Sequence, residues 1–166
     1  HSELQFKVKH LMITNVTGTF SEISGSAESS DDKFNGLNVK FAAKVASIKT
    51  GDDNRDGHLK SADFFDAEAN PEITFASTSA TAVDADGNFE LLGDLTIKGV
   101  TKQVKLNVEF GGLATDPWGN SKAGFTVSGK INRNDFGLTW NAALETGGVL
   151  VSEEVKINAE IQLVKA

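Results

Sequence analysis

Hydrophobic and polar residues alternate with period two along most of the chain. Val104, Leu106, Val108 and Phe110 are separated by Lys105, Asn107 and Glu109, and Val155, Ile157, Ala159, Ile161 and Leu163 repeat the pattern near the C-terminus. Successive side chains of a strand point to opposite faces, so this spacing predicts strands with one buried and one solvated face. It does so over residues 4–9, 16–29, 38–48, 72–83, 89–97, 101–111, 121–132 and 153–165. Gly18 and Gly25 predict a bulge or close packing inside the second of these. Asp86-Gly87 and Lys98-Gly99 supply tight turns on either side of the fifth. Residues 10–15 are too few for an independent helix and fit one packed turn. Residues 138–146 lack the alternation and fit a short helix or lid. No long helical pattern occurs anywhere.

Eight antiparallel strands of this kind close, either as an up-and-down barrel or as a two-sheet sandwich. Several reach about ten residues at ~3.3 Å each, giving a height on the order of 35 Å. Inward positions mix Phe41, Phe75, Phe110 and Phe125 with Ala43, Gly129 and Ala159. Small inward residues leave room, and eight strands enclose a lumen wide enough for one small ligand. The same mixture of sizes also interdigitates well as a filled core.

Length and charge narrow the classes. A chain of 166 residues is read as one domain, 1–166. Sixteen Lys and Arg against 23 Asp and Glu leave a net charge of -7. Phosphate backbones are bound by neutralising them with Lys and Arg, so no nucleic-acid partner is expected. No apolar run approaches the about 20 residues of a transmembrane helix. Zero cysteines exclude disulfides and thiolate metal sites.

The densest polar chemistry lies in residues 50–75. Three readings fit it. Asp52, Asn54, Asp56 and Gly57 match the opening of an EF-hand calcium loop, with Asp63 at the twelfth place, but the preceding residues read as a strand and not a helix. Alternatively, Asp53, Arg55 and Asp56 cap and pair around a short helix near residues 61–65, with Phe64 and Phe65 plugging a core. Or the segment is the polar rim of a cavity. For catalysis, His10, His58, Asp56 and Asp63 form the acid/base set and Ser61 the nearest nucleophile. No nucleophile elbow or zinc-protease helix accompanies them. A zinc site of His10, His58 and Asp56 is weakly indicated by so few separated ligands. No enzyme and no metal cofactor is expected.

One run, Arg55-Asp56-Gly57-His58-Leu59-Lys60-Ser61-Ala62-Asp63-Phe64-Phe65 followed by Asn70-Pro71-Glu72-Ile73-Thr74-Phe75, resembles the signature of the YceI-like polyisoprenoid-binding family. Phe6-Lys7-Val8-Lys9-His10-Leu11-Met12, Val16-Thr17-Gly18-Thr19-Phe20, Gly93-Asp94-Leu95-Thr96-Ile97-Lys98-Gly99 and Asn132-Arg133-Asn134-Asp135-Phe136-Gly137-Leu138 extend the resemblance over nearly the whole chain. It implies an all-β, extended eight-stranded antiparallel lipocalin-like barrel with short helical segments. It implies further a tunnel that binds, carries or stores a long-chain isoprenoid lipid, a polyprenyl pyrophosphate or isoprenoid quinone. Candidate tunnel residues are Phe6, Val8, Phe20, Phe41, Ala43, Val45, Phe64, Phe65, Phe75, Leu95, Leu106, Val108, Phe110, Phe125, Val127, Phe136, Trp140, Ile157 and Ile161. Candidates for the polar end are Arg55, Asp56, His58, Arg133 and Asn134, because Arg clamps a pyrophosphate or donates to a quinone oxygen. The arginines have an equally plain structural reading, pairing with neighbouring Asp residues. The resemblance implies a periplasmic or secreted setting and a homodimer. The first strand looks clipped beside the family pattern, and the chain has no Tyr, so any hydroxyl that relatives place in the tunnel is missing. The alternative is an acidic barrel that binds calcium or a protein partner without a lipid.

Overall fold

The alternating segments become ten strands of one antiparallel sheet. The computed structural model describes residues 3–10, 14–28, 38–82, 88–138 and 151–164. In chain order the strands are β1 (Glu3–His10), β2 (Thr14–Phe20), β3 (Ile23–Glu28), β4 (Asn38–Lys44), β5 (Ile48–Lys49), β6 (Glu72–Ala82), β7 (Phe89–Ile97), β8 (Val100–Thr115), β9 (Ser121–Asn132) and β10 (Val151–Val164). Among the described residues one helix, α1 (Asp53–Lys60), and two 3-10 turns, Val45–Ser47 and Arg133–Phe136, accompany them. None of the described helices is long and apolar enough to cross a membrane. Residues 83–87 and 139–150, where a hairpin turn and a lid were expected, lie outside the described residues.

Ten strands replace the expected eight because two of them break. Residues 16–29 divide into β2 and β3, and residues 38–48 divide at the Val45–Ser47 turn into β4 and β5. The breaks are stitched together: the Ser21 N–H donates to the Ser47 carbonyl at 3.3 Å, and the Lys44 N–H to the Glu22 carbonyl at 2.9 Å. This corner closes the sheet. The strand order is β3-β4-β6-β7-β8-β9-β10-β1-β2-β5. Its outermost members, β3 and β5, continue β2 and β4, which lie at the opposite ends of that order. The sheet therefore curls on itself into the lipocalin-like, barrel-type architecture. First and last strands zip together, with Phe6 facing Ile157 and Val8 facing Val155.

Alternation survives as burial. On β7, Leu91, Leu95 and Ile97 are buried while Asp94 is exposed. Gly18 lies beneath the Phe6 ring, and a Cβ there would overlap it; close packing, not a bulge, explains that glycine. Bulges instead fall between Ser77 and Ser79 and between Phe110 and Gly112. Each inserts one residue and flips which positions face inward, so Leu113, not its even-numbered neighbour, stands opposite inward-facing Ala123.

The antiparallel order gives the barrel two unlike ends. One carries the β4–β5 corner, α1, the β7–β8 turn and the Arg133–Phe136 turn. There Lys98 Nζ donates to the Ala62 carbonyl at 3.1 Å, and Ala43, Val45, Ile48 and Phe136 are the most deeply buried apolar residues. The other end carries the β8–β9 turn and the free ends of β1, β3 and β10.

Candidate functional site

Between the two ends the inward residues enclose a cavity of about 640 Å³, inside the range of about 300–1,000 Å³ usual for ligand pockets. Its walls follow the period-two pattern: Leu91, Leu95 and Ile97 from β7, Val104, Leu106 and Val108 from β8, Phe125 and Val127 from β9, and Val155, Ile157 and Ile161 from β10. The expected tunnel residues Phe6, Val8, Phe20, Phe41, Phe64, Phe65, Phe75, Leu95, Leu106, Val108, Phe125, Val127, Ile157 and Ile161 all line it. Phe6 and Phe20 stack with centroids 5.7 Å apart, and Phe65 meets Phe20 edge-on at 6.3 Å.

Four expected wall residues do not line the cavity. Ala43 and Val45 are almost wholly buried in the corner where β4 ends. Phe110 sits beside the bulge with its ring 5.5 Å from that of Phe125. Phe136 is buried in the 3-10 turn behind the cavity wall. Trp140 lies outside the described residues, as does the His10 side chain. Leu4, Ile73, Leu91, Ile97 and Ile131 line the cavity without having been named as candidates. Alternation would have found them. Ser24, Gly25 and Ser26 also line it, and there the signal was faint, because small side chains shape a cavity by leaving space.

The helical end is built around Thr50. Asp52 caps α1, accepting from the N–H groups of Asn54 at 3.0 Å and Arg55 at 3.1 Å. Asp56 is buried and accepts from the Thr50 N–H at 2.9 Å and hydroxyl at 2.6 Å. Arg55 Nε donates to Thr50 Oγ1 at 2.8 Å and its terminal nitrogen to the Thr50 carbonyl at 2.9 Å. Helix therefore occupies the calcium-loop register, and Asp52 and Asp56 aim at backbone and Thr50 donors instead of at a shared centre. The helix also begins at Asp53 and not near residue 61. His58 Nε2 meets Asp63 Oδ2 at 2.9 Å, and its ring lies edge-on to Phe64 at 5.1 Å. Ser61 donates to the His58 carbonyl, so its hydroxyl is not set up against the imidazole as a nucleophile.

Of the polar candidates, Arg55, His58 and Arg133 line the cavity, whereas Asp56 and Asn134 do not. Arg133 is 4% exposed. Its Nε donates to the Ser152 carbonyl at 2.8 Å, and another nitrogen donates to the Leu138 carbonyl. Burial holds its pKa below the usual arginine value, with nearby Glu153 opposing the shift. The bonds described for both arginines go to carbonyls and to Thr50, not to the neighbouring Asp residues.

The curled sheet has known counterparts in fold. Residues 1–163 match the YceI-like domain. The chain belongs to the YceI-like family. Among YceI-family relatives, the UPF0312 protein SAB2563 of Staphylococcus aureus (strain bovine RF122 / ET3-1) is 39% identical over 163 residues, 98% of this chain and 92% of that protein. The crystal structure of the Campylobacter jejuni YceI protein superposes with a TM-score of 0.80 at 33% identity, covering 96% of this chain and 91% of that one. A polyisoprenoid binding domain from Saccharophagus degradans, implicated in plant cell wall breakdown, superposes at 0.68 with 18% identity over 99% of this chain and 94% of that one. At that identity the likeness is one of fold alone.

Proposed function

We propose that this YceI-family protein binds a long-chain isoprenoid lipid in its barrel and carries or stores it. The carrying observation is the cavity itself, walled by apolar residues of nine strands, with cationic side chains at the helical end. Apolar burial contributes roughly 25 cal/mol per Å² before association costs are subtracted. A flexible chain thus gains affinity from length, and a polar end sets the choice among chains. Arg55, His58 and Arg133 line the cavity, and in this reading they donate to that end, a pyrophosphate or a quinone oxygen. The polyisoprenoid-binding name of the Saccharophagus degradans relative supports the ligand class. The resemblance carries with it a periplasmic or secreted setting and a second copy of the chain as partner.

Native mass spectrometry of gently purified protein, followed by organic extraction, tests the reading. The expected result is a mass increment that extracts as an isoprenoid, or uptake of added solanesol by empty protein. Protein that carries nothing and takes up no solanesol overturns it.

A further inference from the structure

The outer face of β1, β10, β9 and β8 sorts its side chains by charge, row by row. Lys7 stands opposite Lys156, and Lys156 opposite Lys130. Two residues along each strand lies a neutral row, in which Gln5 faces Asn158, Asn158 faces Ser128 and Ser128 faces Asn107. Two residues further, nearer the rim that carries the β8–β9 turn, Glu3 faces Glu160, Glu160 faces Thr126 and Thr126 faces Glu109. Lys105 precedes Glu109 on β8 by the same four residues that separate Glu3 from Lys7. A lysine row and a glutamate row flank a neutral strip.

This order works against the single chain, because like charges directly opposite on neighbouring strands repel. Across β4 and β6 the chain does the reverse and sets Lys44 opposite Glu72. The ion pairs described for the lysine row, Lys105 with Glu90 at 3.7 Å and Lys130 with Glu154 at 4.0 Å, join solvent-exposed side chains, where such pairs contribute little.

Relief follows charge. The lysine and neutral rows line one groove of about 740 Å³, which Lys102 and Lys105 share. Among the described residues its lining holds a single carboxylate, Asp135, and none of the row of glutamates. Glu3, Glu109 and Glu160 stand beside the groove, exposed.

A two-fold axis laid along the neutral row makes this face its own complement. The rotation exchanges the outer rows, so the glutamates of a second copy enter the lysine groove and amides meet amides. Strand by strand, Glu3 of one copy meets Lys7 of the other, Glu160 meets Lys156 and Glu109 meets Lys105. Such a contact is isologous: each pair occurs twice and assembly stops at two. A foreign acidic partner would use the groove alone and leave the glutamate row without a role.

We propose that a second copy of the chain docks on this face, glutamate row into lysine groove, as a weak two-fold dimer. The proposal gives the second copy in the functional reading a surface, and it needs no lipid in the cavity. Strand and residue spacings make the patch roughly 14 Å each way. A contact of that size without an apolar centre belongs with the transient interfaces. The net charge of -7 opposes approach, but at physiological ionic strength exposed charges more than about 8 Å apart are largely screened, and pairs brought into contact much less so.

Sedimentation velocity over a range of protein concentrations, at physiological ionic strength, tests it. Wild type should show a monomer–dimer equilibrium. Lys156→Glu and Glu160→Lys should each weaken it about tenfold or more, since like charges then meet across the axis. Both changes also remove like-charge neighbours within the chain, so each variant should resist urea at least as well as wild type. The double variant Lys156→Glu/Glu160→Lys keeps the net charge, reverses every such pair and should recover wild-type association. Wild type that stays monomeric overturns the proposal, and its retention on immobilised poly-Glu would then mark an acidic partner instead. A dimer that Lys156→Glu leaves intact also overturns it, placing the second copy on another surface. So does weakening in both single variants without recovery in the double one. Solanesol uptake by the same samples reads the lipid proposal alone, so the two fail separately.

Discussion

The two ends of the barrel treat their side chains in opposite ways. At the helical end, polar groups turn inward on each other: Asp52 caps α1, Asp56 and Arg55 meet at Thr50, and Arg133 donates to two carbonyls. At the rim, polar groups hold an apolar one outward, with Asp116 organising the turn that exposes Trp118. One end is fastened and the other is presented.

The space between the ends is the first place to break this contrast. Val108, 5% exposed, sits mid-wall, and Val108→Trp should fill the lumen. Binding of solanesol should fall below detection by titration, while overpacking costs about 1–3 kcal/mol and leaves a folded barrel. Full solanesol binding by folded Val108→Trp would place the ligand elsewhere.

Next in size is the fastened end. Asp56→Ala strips Thr50 of its buried acceptor and should cost about 1–3 kcal/mol in urea unfolding, or about 2–4 °C of Tm per kcal/mol. Trp118 emission in Trp140→Phe, a readout of the opposite end, should be unaffected. If that emission moves in protein that remains folded, the ends are coupled and the contrast fails.

Arg55→Ala sharpens the same end for ligands. Arg55 makes two bonds to Thr50, which leaves donors of its guanidinium for a ligand. A pyrophosphate-tipped chain should weaken by about tenfold, or about 1.4 kcal/mol, and a plain hydrocarbon of equal length should not. Equal losses in paired titrations would assign Arg55 to the structure alone.

The smallest effect lies at the rim. Hydrogen bonding from the Asn120 backbone, helped by the Asn120 side chain, the Trp118 N–H and Lys122, holds the Asp116 carboxyl below the usual carboxylate range, against a smaller opposing effect of burial. A depressed pKa in the folded state means support that is complete above the ordinary Asp value and lost as pH falls through the depressed one. Fluorescence anisotropy of Trp118 in Trp140→Phe should therefore drop under acid, whereas Asp116→Asn should show a low, pH-independent value.

The walls were legible because alternation is local. Phe75, Leu95, Leu106, Val108, Phe125 and Ile157 follow from period two and nothing else. Ala43 and Val45 were misplaced because the apolar pattern continues past Lys44 while the backbone leaves the strand for a 3-10 turn. Phe110 keeps the inward register, facing Phe125 across the β8–β9 pair, but its ring packs beside that of Phe125 instead of lining the cavity. α1 was hidden for a different reason. Asp53, Asn54, Asp56 and Gly57 are poor helix formers with no apolar stripe, and the helix stands on the Asp52 cap and the Asp56–Thr50 bonds, the second of which is tertiary.

The pairing of β1 with β10 has a consequence in time. Glu3 faces Glu160, so the barrel shuts only when two strands far apart in sequence meet. Long-range pairing of this kind must meet the entropy of closing a very long loop before any contact repays it. Refolding on the order of milliseconds to seconds is the expectation for such topologies. On the ribosome, β1 waits with only β2 beside it until β10 has been made. During that wait the edges of β1 and β9 that β10 will cover are bare, and bare strand edges recruit other chains. The interval before the last strand arrives is when this protein is most exposed to aggregation.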